Sequence, residues 1–325
     1  MERIPAQPTF TDLTLAGLGS PRSAEFFDRC SKLIPFDKLA ASVADIFVDH
    51  ESKGGDKGGA PHWPVAMMLK ILFVQKCYGL SDPMTQEALM DRISFRRFVG
   101  LSFDEKTPDQ STIWLFRERL EKAGHGSTLF DKTLELLREQ GVVLTTGTLI
   151  DATLIDAPLG RRRSDGSSTA QPTASKTSKA NRAYFGYRGH IATDRRGIVT
   201  DFIYDTAKTP EHGHFDTLAE KERRMIFADS GCRGKDRVSK LRARGVLAGM
   251  CHRRVPGQAE LTPLQKRYNR LVAGIRAFVE HPFAMIKQML PRKTRYRTMR
   301  RNALDFGFCA MIGNWRRAMP WLAAA

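Results

Sequence analysis

Ile226-Phe227-Ala228-Asp229-Ser230-Gly231, read with Leu149-Ile150-Asp151-Ala152-Thr153, decides how this chain folds. Each is a short apolar, strand-like run carrying one aspartate. A carboxylate inside such a run is costly unless something pairs with it. Gly231 and Gly234 follow the first run closely, which puts Asp229 at the carboxyl end of its strand. Ligand sites in open α/β sheets gather at such ends. One aspartate alone reads most simply as a turn cap or an arginine partner; two in this order argue for a site.

Working outward, residues 142–157 are rich in Val, Thr, Ile and Leu and read as a strand. Residues 184–193 and 198–204 are strand-like runs around Asp194-Arg195-Arg196-Gly197, a hairpin turn. A helix over 215–222, a strand over 225–229, a helix over 233–244, a strand over 246–250 and a long helix over 265–290 follow. This order predicts an α/β domain whose sheet is antiparallel at first and parallel afterwards. Residues 161–181 are Ser, Thr, Lys and Arg rich without apolar periodicity, and read as a loop. Upstream the pattern is helical: apolar periodicity over 26–47, then helices over 64–78, 83–91, 94–99, 113–122 and 129–140. Between them lie Ser52-Lys53-Gly54-Gly55-Asp56-Lys57-Gly58-Gly59, a linker composition. The expected organisation is an arm and linker over 1–60, a helical domain over 61–125, and an α/β domain over 126–325. The short helices ending in one that bears Arg117 and Arg119 resemble a helix-turn-helix, with Arg117 a candidate DNA contact. An ordinary helical bundle with a solvated basic face is the plainer alternative.

Asp156 rivals Asp151. Five residues is an odd step, so in an unbroken strand the two face opposite sides. Asp151 has apolar residues before it and is preferred; Asp156 precedes Ala157-Pro158, where the strand must end. A third acid, Glu280, lies in Arg276-Ala277-Phe278-Val279-Glu280-His281-Pro282. On a continuous α-helix Arg276 and Lys287 fall within roughly 40° of it. A surface ion-pair ladder is the bland explanation. Pro282 is expected to kink the helix just past Glu280. Three clustered carboxylates repel unless a cation sits among them, and hard oxygen donors select Mg²⁺ or Mn²⁺. Two such ions roughly 4 Å apart can activate an attacking oxygen and stabilise a leaving one in phosphodiester transfer.

Charge points to the same substrate. The 325 residues hold 52 Lys and Arg against 35 Asp and Glu, a formal net charge of +17. Such an excess calls for a polyanionic partner. A membrane is the weaker choice, because the most apolar stretch, 65–74, contains Lys70 and falls far short of about 20 residues. No apolar signal-peptide core follows the N-terminus. The 5 cysteines are scattered, with no Cys-x-x-Cys pair, which suits a reducing cytoplasm. Two regions concentrate the excess. From 287 to 317 stand Lys287, Arg292, Lys293, Arg295, Arg297, Arg300, Arg301, Arg316 and Arg317 against Asp305 alone; residues 161–196 are similarly basic. Both should attract a phosphate backbone. The loop-like first region is expected to order on DNA. His190 reads as a core residue or one supporting the site rather than a ligand. His212 and His214 read as loop residues, and Cys232 as incidental.

With these residues in hand, the chain resembles a bacterial insertion-sequence DDE transposase of the group called insertion sequence family five, over about residues 61–317. Arg276, Glu280 and Lys287 match the spacing of that family's Tyr-x₂-Arg-x₃-Glu-x₆-Lys signature, with Ala273 at the tyrosine position. The segments around Asp151, around Arg188 (Phe185-Gly186-Tyr187-Arg188-Gly189-His190), around Arg233 (Ala228-Asp229-Ser230-Gly231-Cys232-Arg233) and Lys293-Thr294-Arg295-Tyr296-Arg297 are similar in the same order. The resemblance implies a ribonuclease-H-like core: a mixed sheet with flanking helices, preceded by an all-helical domain. It also implies Asp151, Asp229 and Glu280 as catalytic metal ligands for Mg²⁺ or Mn²⁺. Arg276, Lys287, Arg188, Arg233, Lys293, Arg295, Arg297 and Arg117 become the expected DNA contacts. Cleavage at element ends, attack of the freed 3′-hydroxyl on target DNA, and assembly as a homodimer or larger oligomer on DNA in a bacterial cytoplasm would follow. A nuclease of the same fold without strand transfer, or an inactive DNA-binding relative, are the competing readings. The short span between Asp229 and Glu280 leaves no room for a large inserted β-domain.

Overall fold

The computed structural model describes residue 3 and residues 22–47, 61–145, 147–165, 167–179, 181–254 and 257–323. The expected glycine-rich linker at 52–59 lies outside the described residues. The chain divides into two compact units, residues 1–133 with 321–325, and residues 134–320.

The first unit is helical: α1 (Arg22–Leu33), α2 (Phe36–Ala41), α3 (Val65–Cys77), α4 (Asp82–Asp91), α5 (Ile93–Val99) and α6 (Gln110–Lys122), with α7 (His125–Glu139) crossing the division. Its core is aromatic. Phe27 packs edge-on to Phe95 with centroids 5.5 Å apart and lies 4.5 Å from Phe98; Phe36 meets both Phe73 and Phe98 edge-on. The segment expected as an arm therefore supplies two helices to this core. Caps set the helix starts: Ser81 accepts from the Met84 N–H, and Asp109 from the Thr112 N–H at 2.6 Å.

Among the described residues, the second unit holds one six-stranded sheet: β1 (Thr148–Asp156), β2 (Ser175–Lys179), β3 (Arg182–Thr193), β4 (Val199–Thr206), β5 (Met225–Ala228) and β6 (Leu247–Met250). β3 pairs antiparallel with β1, β2 and β4, whereas β1–β5 and β5–β6 are parallel. The expected antiparallel start and parallel remainder are thus present. Among the described residues its helices are α8 (Phe215–Leu218), α9 (Lys235–Ala243), α10 (Pro263–Arg276), α11 (Glu280–Met289) and α12 (Met299–Leu322), the last two residues of α12 falling in the first unit. Ile150, Ala192, Ile226 and Ala228 pack with Phe215, Leu218 and Leu241 in a buried cluster. Gly189 admits the Phe306 ring of α12, which would stand 2.6 Å from a Cβ at that position. Asn314 serves β4 at two points, accepting from the Val199 N–H at 2.7 Å and donating to its carbonyl at 2.8 Å.

Two expectations are corrected. Residues 161–181 are not an unbroken loop: β2 joins the sheet as an edge beside β3, and Arg162 bridges Ser168. The long helix over 265–290 is interrupted by a 3₁₀ turn at Ala277–Val279. Pro282 lacks an N–H for the Phe278 carbonyl four residues earlier, so the break falls before Glu280 rather than after it. Among the described residues, no helix is long and apolar enough to cross a membrane. All five cysteines are free thiols.

Candidate active site

Register places the two strand aspartates side by side. Ile150 pairs with Ala228 across the parallel β1–β5 ladder, so the next residues, Asp151 and Asp229, leave the ladder together. They converge on one cation. The Arg276 guanidinium at the end of α10 lies 3.3 Å from Asp229 Oδ1 and 3.8 Å from Asp151 Oδ2. α10 is held against the sheet by its own side chains. Tyr268 donates to the Ala248 carbonyl, and Asn269 brackets His252, accepting from its N–H and donating to its carbonyl.

The two carboxyls differ electrostatically. Burial pushes Asp151 above the usual carboxylate range, against the pull of the Ala152 N–H and Arg276, and with the charges of Glu211 and Asp229 adding to the rise. For Asp229 burial acts upward as well, but the Ser230 backbone, Arg276, the Gly231 backbone and Arg253 together hold it below that range. Asp229 also caps the 3₁₀ turn Ser230–Cys232. Carboxylate oxygens on neighbouring strand ends, already facing one positive group, are a donor pair of the kind Mg²⁺ or Mn²⁺ selects.

Glu280 is not gathered in. It is the first residue of α11 and is exposed. Among the described residues no group of three or more His, Cys, Asp or Glu side chains could hold a metal. The 3₁₀ turn explains the offset. Three of the four steps from Arg276 take about 120° rather than 100°, turning Glu280 roughly 100° from Arg276 instead of 40°. Asp156 is half-buried at the end of β1, and its carbonyl accepts from the Thr294 N–H at 2.8 Å.

The expected DNA contacts separate into two kinds. Lys287, Lys293, Arg295 and Arg297 are exposed. The others are engaged inside the fold. Arg117 is buried, bonding Asp82 through both terminal nitrogens at 2.9 and 2.6 Å and Gln75 at 3.2 Å. Arg119 lies over the Phe47 ring at 5.0 Å. The arginines expected to line a recognition helix thus serve the helical unit's interior. Arg188 is buried beside Glu211 at 3.3 Å, which also receives Lys179. Arg233 donates to the Met250 carbonyl at 2.8 Å, closing the end of β6. Arg117 and Arg188 are buried and Arg233 is half-buried, and these intramolecular partners are invisible to a count of basic residues.

Two residues were missed. Arg253, just past β6, donates to Ser230 Oγ at 2.9 Å and adds positive charge beside Asp229. Its place after a parallel strand was the available signal. Glu211 sits in a polar loop, where no spacing marks it. His190 is buried, and burial together with His214 and Arg188 pushes it down to about 4; it stands edge-on to His214, which bonds Asp205 at 2.7 Å. Cys232 is buried and pushed up to about 12, an inert thiol.

A family model described as Transposase DDE domain matches residues 144–315, and one described as Transposase domain (DUF772) matches residues 20–119. No solved structure matches the chain.

Proposed function

The chain belongs to the Transposase DDE domain family, and from that premise we propose that it cleaves DNA at the ends of an insertion element and joins the freed 3′-hydroxyl to target DNA. The observation that carries this reading is the convergence of Asp151 and Asp229 from adjacent strand ends on the Arg276 guanidinium. A transposase acts on DNA, and the +17 charge suits that polyanion.

A divalent ion, Mg²⁺ or Mn²⁺, held by Asp151 and Asp229, with Glu280 joining them only if its helix moves inward on DNA, would supply activation of the attacking oxygen and stabilisation of the leaving oxygen. The chain's own groups bind and orient. Arg276 presents a planar fork that suits phosphate oxygens as well as carboxylates. Arg253 adds positive charge on the other side of Asp229. Lys287 and the exposed cations at 292–300 engage the backbone away from the cleaved bond. Asp151, half-buried on β1 and accepting from the Ala152 N–H, has little freedom and fixes where the reacting phosphate stands.

The test uses the full chain, Mg²⁺ or Mn²⁺, and duplexes made from the genomic DNA flanking the gene. Pre-cleaved ends should yield strand-transfer products. Cleavage without such products would favour a nuclease of the same fold. Asp151→Asn, Asp229→Asn and Glu280→Gln should each abolish both reactions while DNA binding persists; unchanged activity in all three would sink the assignment.

A further inference from the structure

Two segments of the second unit concentrate exposed positive charge, and they lie more than a hundred residues apart. The first is the hairpin spanning residues 161–169. The Arg161 N–H donates to Thr169 Oγ1 at 2.6 Å, the Thr169 N–H to the Arg161 carbonyl at 3.0 Å, and the Arg163 N–H to the Ser167 carbonyl at 2.8 Å. At its base Gly160, with φ +71°, sits so close to the returning strand that a Cβ would lie 2.1 Å from the Ala170 nitrogen. Arg161, Arg162 and Arg163 are all exposed on this arm. The second segment, residues 291–301, exposes Arg292, Lys293 and Arg297, and no acid occurs between Lys287 and Asp305.

Three buried polar side chains join the segments. Gln171, just past the hairpin, donates to Thr294 Oγ1 at 2.8 Å. Asn302 donates to the Tyr296 carbonyl at 2.8 Å, the Thr298 carbonyl at 2.9 Å and Gln171 Oε1 at 3.4 Å. Thr294 is buried, and its N–H bonds the carbonyl of Asp156, the last residue of β1. Buried amides and hydroxyls are expensive without partners. Here they find them only while the hairpin base, the basic turn and the end of β1 are held together.

We propose that the hairpin and the 291–301 segment form one duplex-DNA-binding surface, and that Gln171, Thr294 and Asn302 are positioning residues that fix this surface relative to the strand carrying Asp151. The proposal rests on the reading that the chain acts on DNA. Charge removed from either segment should then weaken binding of the same duplex, and loosening the staple should uncouple the hairpin without removing charge.

The experiment measures binding of a fluorescent duplex of about 30 base pairs to the full chain across a salt series. Two surface triples are compared, Arg161→Ala/Arg162→Ala/Arg163→Ala and Arg292→Ala/Lys293→Ala/Arg297→Ala. Each should lower the log–log salt slope by about two to three, near 0.9 per lost phosphate contact. The hairpin triple should cost about tenfold or more in affinity in the wild-type background, and several-fold less when made on Gln171→Ala. A Gln171 that only stabilises the fold would leave the triple's cost equal in both backgrounds, which overturns the positioning role. Wild-type affinity and slope in the hairpin triple, with loss in the other triple, overturns the shared surface. A wild-type chain that binds no duplex, or binds it without salt dependence, overturns both this proposal and the DNA reading beneath it. The surface triples carry the test even where Gln171→Ala does not fold.

Discussion

Arg276 lies 3.3 Å from Asp229 and 3.8 Å from Asp151, the two strand-end acids proposed as metal ligands, so on that proposal its removal should tighten metal binding. At an effective dielectric near 20, unit charges 3.3 to 3.8 Å apart attract by about 4 to 5 kcal/mol. These groups are not dry: the side chains of Arg276, Asp151 and Asp229 are 20%, 24% and 36% exposed. Solvent screening and desolvation reduce each pair to about 1 kcal/mol or less. Displacing the guanidinium from both then costs roughly 1 to 2 kcal/mol, and Arg276→Ala should lower the Mn²⁺ dissociation constant of the DNA-free chain by about tenfold. Titration calorimetry or Mn²⁺ electron paramagnetic resonance reads this directly, without turnover. Arg276→Lys, which keeps the charge, should stay near wild type. Asp151→Asn made on Arg276→Ala should remove the gain. An Arg276→Ala protein that binds Mn²⁺ no tighter than wild type would refute the competition.

Other outcomes follow from the packing. Arg117→Ala leaves the Asp82 carboxylate without its bidentate partner. It should cost about 3 kcal/mol of stability by urea denaturation and leave DNA affinity unchanged below the transition; the reverse pattern would mark Arg117 as a DNA contact. His190 is held down at about 4 against 6.5 when exposed. The unfolded chain therefore takes up the proton first, so this stability is present above about pH 6.5 and fades as pH falls toward 4. About 2 kcal/mol should be gone by pH 5, and His190→Gln should flatten that difference; equal slopes in both proteins would disprove the assignment. Gly189→Ala drives a Cβ into the Phe306 ring. It should lower stability by roughly 1 to 3 kcal/mol, measured as a lower Tm; an unchanged Tm would mean that α12 can move away at no cost.

What was legible in the sequence follows from how loudly each residue states its need. β1 and β5 could be read because unbroken apolar runs of strand length are rare in a chain this charged. Asp151 and Asp229 could be read because a carboxylate in such a run requires a partner. β2 could not: it is an edge strand of Ser, Lys and Thr, held by backbone bonds to β3, and edge strands carry lysine to deter further pairing. The break before Glu280 was half legible. The proline was visible, but its effect acts on the carbonyl four residues upstream, and the helical wheel had already carried Arg276 and Glu280 onto one face. Arg117, Arg188 and Arg233 each have a partner in the fold that the sequence did not announce. Sequence shows a charge but not its partner, and Asp82, Glu211 and the Met250 carbonyl lie 35, 23 and 17 residues away. The same blindness hid Arg276's position between the two acids, although its spacing to Glu280 was plain. Glu280 lies on a polar helix face that tolerates exposure, so neither sequence nor packing forces it inward. Of the three acids proposed as metal ligands, Asp151 and Asp229 are therefore brought together by the fold itself, whereas the place of Glu280 depends on what its own helix meets.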